Sequence, residues 1–203
     1  EVRSLEAIRA VASRHPLELV PTFLGAHEYP REFRASPQAK ADYVRLLCDE
    51  MIPAVAAKGL AEFCDVFCES HVFDVESSAR ILETGRRHGL RTKIHADELT
   101  PCGGAELAAR LGATSADHLL KATDAGLAAM AGAGVVAVLL PGTSFHLGKK
   151  EHARAAKMME LGVPIAVATD FNPGTSMTQS MPMILTLACV NLRLSPAQAL
   201  VAA

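Results

Sequence analysis

Histidine and acidic residues follow several apolar segments of this chain, and such side chains can bind a metal ion or transfer protons. His95 lies in Lys93-Ile-His-Ala-Asp-Glu98, so an imidazole is followed three residues later by a carboxylate. A neutral imidazole is a common metal ligand, and a carboxylate beside a metal-bound water can move a proton to a leaving nitrogen. Read alone, His95 could equally be a hydrogen-bonded core histidine, and Glu98 could begin a helix.

Two further residues at the ends of predicted strands could take part in catalysis or metal binding. His118 ends the polar cluster Ser115-Ala-Asp-His118 and could polarise a carbonyl or stabilise an oxyanion. Asp170 follows the largely apolar Val163–Thr169, where an unpaired buried carboxylate would be costly, so a metal ion or a proton from water would explain it. The structural alternatives are a histidine hydrogen-bonded in the interior and an aspartate that caps the next turn.

A turn and another histidine complete the candidates. The turn Asp170–Ser176 is rich in Asn, Gly and hydroxyl groups, so it could offer N–H and side-chain donors to a substrate carboxylate, or be a plain turn. His27 ends Pro21-Thr-Phe-Leu-Gly-Ala-His27 and could be a site residue or a surface histidine. Cys64 and Cys68 are interpreted as small buried residues.

Alternating apolar segments must position these side chains. The predicted strands are Leu17–Leu24, Phe63–Cys68, Thr92–Ala96, Ser115–Leu119, Gly134–Leu140 and Val163–Thr169. The predicted helices between and after them are Ala39–Ala57, Val75–Arg87, Ala105–Leu111, Thr123–Met130, Lys149–Leu161 and Met183–Leu192. Non-alternating apolar strands in βα units indicate parallel strands buried on both faces.

Two architectures fit this pattern, a doubly wound sheet and a (β/α)₈ barrel. A doubly wound sheet is typically marked by a glycine-rich phosphate turn, and the sequence has neither GxGxxG nor GxxxxGK[ST]. Five of the six strand ends carry candidate polar residues, which favours a barrel, where catalytic groups follow several strands. A whole barrel usually needs about 250 residues. We therefore predict an incomplete barrel of about six βα units and expect the chain to be an internal part of a longer protein.

The composition of the chain disfavours some classes of binding partner. The chain has 203 residues, is 50% hydrophobic and 21% charged, and carries a net charge of −2 without a basic block, which disfavours nucleic acid or an anionic membrane surface. The sequence contains no run of 18 or more apolar residues, so no transmembrane helix is predicted. The five scattered cysteines show no metal-binding or disulfide spacing, so a reducing, cytoplasmic setting is expected. A small-molecule substrate and a possible homodimer are the expected partners.

Seven segments together resemble one known family over nearly the whole chain. They are Pro21–His27, Phe63–Glu69, Lys93–Glu98, Gly103–Ala109, Ser115–His118, Val136–Gly142 and Ala168–Ser176. In order and spacing, they are similar to imidazolonepropionases of the metal-dependent amidohydrolase superfamily. The resemblance implies a (β/α)₈ barrel and metal-assisted hydrolysis of 4-imidazolone-5-propanoate to N-formimidoyl-L-glutamate in histidine degradation.

The resemblance also assigns residues to roles. It implies one zinc or iron ion with His95 and Asp170 among its ligands, and a catalytic set of Glu98, His118 and Asp170. In this assignment Glu98 shuttles a proton and His118 lies beside the attacked carbonyl. The substrate-binding residues implied by the family are His27 and Glu98 at the ring, and Asn172, Gly174 and Thr175 at the propionate side or the product.

The sequence departs from the family at one point. The family has an N-terminal His-x-His pair that completes the metal site and a small β-domain built from both chain termini, and neither is found in this sequence. We therefore interpret the visible strands as numbers three to eight, and expect the chain by itself to bind metal weakly and to be inactive. Two other hypotheses stay open, namely a cytosine- or guanine-type deaminase and a metal-free paralogue that only binds a small molecule or a partner.

Overall fold

The computed structural model describes residues 1–203, which form two compact units, Glu1–Ile94 and His95–Ala203. The strands are β1 (Thr22–Ala26), β2 (Phe63–Cys68), β3 (Arg91–Ala96), β4 (Ser115–His118), β5 (Val136–Leu139) and β6 (Ile165–Val167). The helices are α1 (Val2–Ala12), α2 (Pro37–Leu46), α3 (Ile52–Ala57), α4 (Val75–Arg87), α5 (Gly104–Leu111), α6 (Asp124–Ala133), α7 (Pro141–His146), α8 (Ala155–Glu160), α9 (Met181–Val190) and α10 (Pro196–Val201).

The sheet follows the chain in its strand order, β1-β2-β3-β4-β5-β6. Within the first unit β1 pairs in parallel with β2, and within the second β4 pairs with β5 and β5 with β6, also in parallel. A doubly wound sheet would instead reverse its strand order at a switch point. Parallel strands in chain order, alternating with helices, confirm the predicted fold class of consecutive βα units.

The first unit is built on close packing of α4 against β2. A β-carbon added to Gly85 of α4 would lie 2.6 Å from the β-carbon of Cys64 in β2, so only glycine allows this approach. Cys64 and Cys68 are both fully buried, which confirms their prediction as interior residues. Burial raises the pKa of the Cys64 thiol, and the neighbouring Asp65 carboxylate acts in the same direction.

The long helix predicted over Ala39–Ala57 is interrupted. It forms α2 and α3, joined by a wider π-helical turn over Leu47–Met51. Pro53 lies at the start of α3 and has no N–H to donate to a preceding carbonyl, and a wider turn is one way in which a helix accommodates that loss. A helix over this segment was predicted, but its interruption by a π-helical turn was not.

In the second unit, α5 and α6 pack together, and α5 also contacts β4. A β-carbon on Gly126 of α6 would lie 2.9 Å from the Ala105 β-carbon of α5, which shows how closely the two helices approach. The interior of this unit is apolar, with Leu107, Leu127 and Met130 buried from these helices. This layer supports the strands whose ends carry the candidate residues.

Two predicted element starts were wrong by five or six residues, and one short helix was not predicted. The helix predicted from Lys149 begins only at Ala155, because Gly148 takes a left-handed conformation (φ 64°) after α7 and the chain runs on as an irregular loop. β1 begins at Thr22 and not at Leu17, directly after Pro21, which has no N–H for a strand hydrogen bond. The short helix α7, Pro141–His146, was not predicted from the sequence.

Helix α10 begins as capping rules predict. α10 begins with a capping box in which Ser195 and Gln198 exchange backbone and side-chain hydrogen bonds, followed by Pro196 in its first turn. None of the helices has both the length and the hydropathy that crossing a membrane would require.

Candidate metal and catalytic site

The turn after β3 carries His95 and Glu98 and is fixed by a buried aspartate between them. Asp97 is 1% exposed and takes a left-handed backbone conformation, φ 49°. Its carboxylate accepts hydrogen bonds from the N–H groups of Gly103 at 3.0 Å, Gly104 at 3.2 Å and Ala105 at 2.8 Å. These hydrogen bonds satisfy backbone N–H groups at the start of α5. They also hold the turn that carries both candidate side chains.

The end of β4 contains two consecutive strained residues. His118 has φ 74° and Leu119 has φ 58°, and neither is glycine. Such conformations cost of the order of 1–3 kcal/mol each and are typical of functional sites, where surrounding contacts maintain them. Here the Leu119 N–H donates to the carbonyl of Ala96 at 3.0 Å. The His118 side chain, 5% exposed, lies with its ring centroid 5.4 Å from that of His95.

Glu98 lies between an imidazole and an ammonium group. One carboxylate oxygen, Oε2, is 3.8 Å from His118 Nε2, and the other, Oε1, accepts a hydrogen bond from Lys149 Nζ at 3.4 Å. The Glu98 side chain is 13% exposed. A carboxylate that is nearly buried and faces a neutral or protonated imidazole is suited to proton transfer. The structure thus brings the predicted residues His95, Glu98 and His118 together.

A metal ion would find suitable donor atoms at His95 and Asp117. Each offers one ligand atom, and the two atoms lie within 4.8 Å of each other. Asp117 is 6% exposed, and its carboxylate accepts a hydrogen bond from Ser115 Oγ at 3.0 Å. An imidazole nitrogen with a carboxylate oxygen is a donor set that zinc and iron both accept, so the residues present fit the implied ion.

Sequence reasoning missed Asp117. Its signal was present, because an acid directly before His118, in a short strand between apolar segments, is costly to bury without a partner. Regular alternation would have placed Asp117 and His118 on opposite faces of β4. The left-handed backbone at His118 breaks that alternation at the strand end.

Asp170 has a different partner from His95. It follows β6 with φ 49°, and its carboxylate accepts a hydrogen bond from Thr143 Oγ1 of α7 at 2.6 Å. Asp170 is not among the residues whose ligand atoms lie within 4.8 Å of both His95 and Asp117. The structure therefore groups His95 with Asp117, and the predicted ligand pair of His95 and Asp170 stays a prediction.

The turn Asp170–Ser176 is held by Asn172. Its Oδ1 accepts hydrogen bonds from the N–H groups of Gly174 at 2.9 Å and Thr175 at 2.7 Å, while its Nδ2 donates to the carbonyl of Asp170 at 2.7 Å. The Asn172 amide also contacts Thr175 Oγ1, at 2.9 Å from Nδ2. The N–H donors predicted to hold a substrate carboxylate are therefore already engaged inside the turn.

His27 belongs to the first unit and directly follows β1. The imidazole is exposed and stacks on Phe67, with 5.5 Å between ring centroids and 19° between planes. In the same unit, Asp65 lies inside β2 at 2% exposure and accepts a hydrogen bond from the N–H of Val66 at 2.7 Å. This buried acid was not singled out from the sequence, although it interrupts an apolar strand.

Several solved structures share the fold of this chain. Guanine deaminase from C. acetobutylicum with bound guanine matches 100% of this chain and 54% of its own length, with a TM-score of 0.74 and 13% identity. A zinc-bound adenosine deaminase from Xanthomonas campestris matches 98% of this chain and 49% of its own, with a TM-score of 0.69 and 17% identity. An amidohydrolase from a Sargasso Sea sample has a TM-score of 0.61. These likenesses show the fold alone, which this chain shares with two deaminases and an amidohydrolase.

The sequence relatives of this chain share one name, imidazolonepropionase. Imidazolonepropionases from Symbiobacterium thermophilum and Shouchella clausii are 56% and 53% identical, and both alignments cover 100% of this chain. The imidazolonepropionase of Geobacillus kaustophilus is 52% identical over 203 residues. The chain spans 44% to 47% of the length of these relatives. The resemblance to imidazolonepropionases is thus confirmed along the whole chain, while no family model matches it.

Proposed function

We propose that this chain is the catalytic part of an imidazolonepropionase, which hydrolyses 4-imidazolone-5-propanoate to N-formimidoyl-L-glutamate in histidine degradation. The proposal is supported above all by identity of 52% to 56% to proteins of that name over the full chain. The geometry supports it independently, because Glu98 and His118 form a nearly buried acid–imidazole pair beside His95.

One zinc or iron ion is proposed as the cofactor. His95 would hold it, together with Asp117 or with Asp170, the ligand that the family resemblance implies. When bound, such an ion lowers the pKa of its water to about 7 and so supplies a nucleophile at neutral pH. The zinc-bound adenosine deaminase of the same fold supports a metal in general, and the choice between zinc and iron is left to metal analysis.

The proton transfers are assigned to this chain's own residues. Asp170 accepts the proton of the attacking water, since its carboxylate carries only the Thr143 hydrogen bond. His118 donates towards the oxyanion that forms at the ring carbonyl. The water oxygen bonds to the ring carbonyl carbon, and the bond between that carbon and the ring nitrogen breaks. Glu98 passes to the departing nitrogen a proton that balances the one taken from water by Asp170.

Substrate binding is proposed at the ring and at the propionate. His27 and Glu98 contact the ring, and Asn172, Gly174 and Thr175 hold the propionate side. A substrate carboxylate would compete with Asn172 Oδ1 for the N–H groups of Gly174 and Thr175, and the Thr175 hydroxyl offers a further donor. Binding at this turn would therefore exchange internal hydrogen bonds for hydrogen bonds to the ligand.

The alternatives have less support. A guanine-type deaminase shares the fold, but at 13% identity that likeness extends to the fold alone. A metal-free paralogue is disfavoured by the zinc-compatible donors at His95 and Asp117. A cytoplasmic location is also proposed, supported by five free cysteines, and so is a possible homodimer.

The test is a Glu98→Gln substitution in the protein at the length of its relatives. We expect kcat on imidazolone propanoate to fall by about 10²–10⁴-fold, because the proton carrier is lost. Metal content, measured by elemental analysis, should stay within error of the parent. Normal turnover by Glu98→Gln would contradict the assigned role, and equal loss of metal and activity would reassign Glu98 to the metal site.

A further inference from the structure

We propose that Lys149 is a positioning residue for Glu98, and that the irregular loop of residues 147–154, here called the Lys149 loop, exists to place it. The proposal rests on the proposed function of Glu98 as proton carrier. The sequence pattern predicts Lys149 at the start of a helix, and the family resemblance implies no role for it. In the structure Lys149 lies outside any helix, and its ammonium group contacts the candidate site.

The contact fixes both oxygens of one carboxylate. Lys149 Nζ lies 3.4 Å from Glu98 Oε1, while Oε2 faces His118 Nε2 at 3.8 Å. The exposed fractions of the side chains are 27% for Lys149, 13% for Glu98 and 5% for His118. An ion pair that is largely shielded from water is screened less than a surface pair, so its geometry has more influence on the carboxylate.

The Lys149 loop is tied down on both sides of Lys149. On its N-terminal side, the Lys149 N–H donates to the carbonyl of Ser144 in α7 at 2.9 Å, directly after left-handed Gly148. On its C-terminal side, Arg154 Nη1 pairs with Asp124 at 2.5 Å, and Nη2 donates to the carbonyl of Ala122 at 2.7 Å. The loop is thus anchored to α7 and to the segment that follows β4.

A third anchor connects the loop to the turn of Glu98 itself. Glu151 pairs with Lys121, and the Lys121 hydrogen bond holds the pKa of the Glu151 carboxyl below its usual value. The Lys121 backbone N–H donates to the carbonyl of Asp97, the residue before Glu98, at 2.8 Å. The same short segment therefore holds the loop that supplies the cation and the turn that supplies the carboxylate.

The contact with Lys149 affects the orientation of the Glu98 carboxylate during the reaction. A carboxylate that must carry a proton has two equivalent oxygens, and free rotation would divide its time between productive and unproductive placements. With Oε1 held by the ammonium group of Lys149, Oε2 stays directed at His118 and the reacting atoms. Loss of the cation should lower the rate of the chemical step and leave binding of the ring nearly unchanged.

The first experiment compares Lys149→Met with Lys150→Met in the protein at the length of its relatives. Both changes remove one positive charge from adjacent positions, and Lys150 is exposed. We expect Lys149→Met to lower kcat about tenfold with KM within about twofold, as for a lost charge-assisted contact, while Lys150→Met stays within about twofold of the parent. Lys149→Arg, which keeps the charge, should retain most of kcat. Equal effects of the two Met variants would overturn the proposal.

A double-mutant cycle then asks whether Lys149 acts through Glu98. In a Glu98→Gln background, Lys149→Met should change kcat by less than about twofold, because the group that it positions is already neutral. A full tenfold loss in that background would contradict the positioning role. Metal content should be equal in all variants, and a loss confined to the Lys149 variants would make the residue structural for the metal site.

A readout that needs no substrate keeps this inference separate from the proposed function. The effects of Lys149→Met and Glu98→Gln on the free energy of unfolding should be non-additive, whereas Lys150→Met and Glu98→Gln should add. If the parent protein fails to open the imidazolone ring, the proposed function falls. If the stability effects of Lys149→Met and Glu98→Gln simply add, the contact itself is absent and the positioning role falls with it, whatever the substrate.

Discussion

The turns after β3 and after β6 each contain an aspartate with the same left-handed backbone angle, and the two carboxylates have opposite surroundings. Asp97 and Asp170 both have φ 49°. The Asp97 carboxylate is buried and accepts three backbone N–H hydrogen bonds at the start of α5. The Asp170 carboxylate is partly exposed and accepts one hydrogen bond, from the Thr143 hydroxyl.

The difference separates a structural acid from one that is available for chemistry. Hydrogen bonds to a charged group contribute about 1.5–3 kcal/mol each, so a carboxylate with three such partners has little to gain from a metal or a proton. A carboxylate with one hydroxyl partner keeps most of its acceptor capacity. Backbone strain alone does not identify the functional residue, since both aspartates carry it.

Asp170→Asn is the strongest test of this comparison. We expect kcat to fall by about 10³-fold, since a carboxylate that accepts a proton is replaced by a neutral amide. The free energy of unfolding in urea should change by less than about 1 kcal/mol, because the Thr143 hydroxyl can still donate to the amide oxygen. A large loss of stability with intact activity would reverse the roles of the two acids.

Asp97→Ala, in contrast to Asp170→Asn, should mainly lower the stability of the protein. Three buried N–H groups would lose their acceptor, so we expect a loss of about 3 kcal/mol or more in the free energy of unfolding. Urea titration followed by circular dichroism measures this loss, with Asp97→Asn as the matched variant, which keeps an oxygen acceptor and should lose less. A stability equal to that of the parent would show that the α5 hydrogen bonds are dispensable.

Asn172→Ala tests how much the turn after β6 depends on its internal hydrogen bonds. Removal of the amide leaves the N–H groups of Gly174 and Thr175 without their present acceptor. Because this turn is partly exposed, water replaces part of the loss, and we expect about 1–2 kcal/mol in the free energy of unfolding. KM for the substrate should rise, and an unchanged KM would argue against propionate binding at this turn.

Thr143→Val should have the smallest effect and sharpens the comparison at Asp170. Valine keeps the shape of threonine but removes the donor that contacts Asp170 at 2.6 Å. We expect kcat to fall by about tenfold or less, through looser placement of the carboxylate, with metal content retained. Steady-state kinetics with the Thr143→Ser variant as control would show whether the hydroxyl, and not the packing, is responsible.

Local patterns predicted the elements, and long-range contacts decided the details of the site. The strand Phe63–Cys68 and the helix Val75–Arg87 have the predicted bounds, because continuous apolar burial and an Asp74 cap are local signals. The predicted helix start at Lys149 was wrong because the side chain and the loop around it make contacts with residues 30 to 51 positions away in the sequence. Asp97 was missed because its hydrogen-bond partners lie beside it only in the folded chain. Asp117 was recognisable from the sequence as a buried acid, but the closeness of its carboxylate to His95 exists only in the fold.

The most direct measurement follows two products of one reaction. The protein at the length of its relatives, loaded with zinc or iron, is incubated with imidazolone propanoate while N-formimidoyl-glutamate and ammonia are quantified in parallel. A hydrolytic opening of the cyclic amide predicts stoichiometric N-formimidoyl-glutamate, no ammonia, and loss of turnover when a chelator removes the metal. Ammonia release, or turnover that persists without metal, would contradict the account.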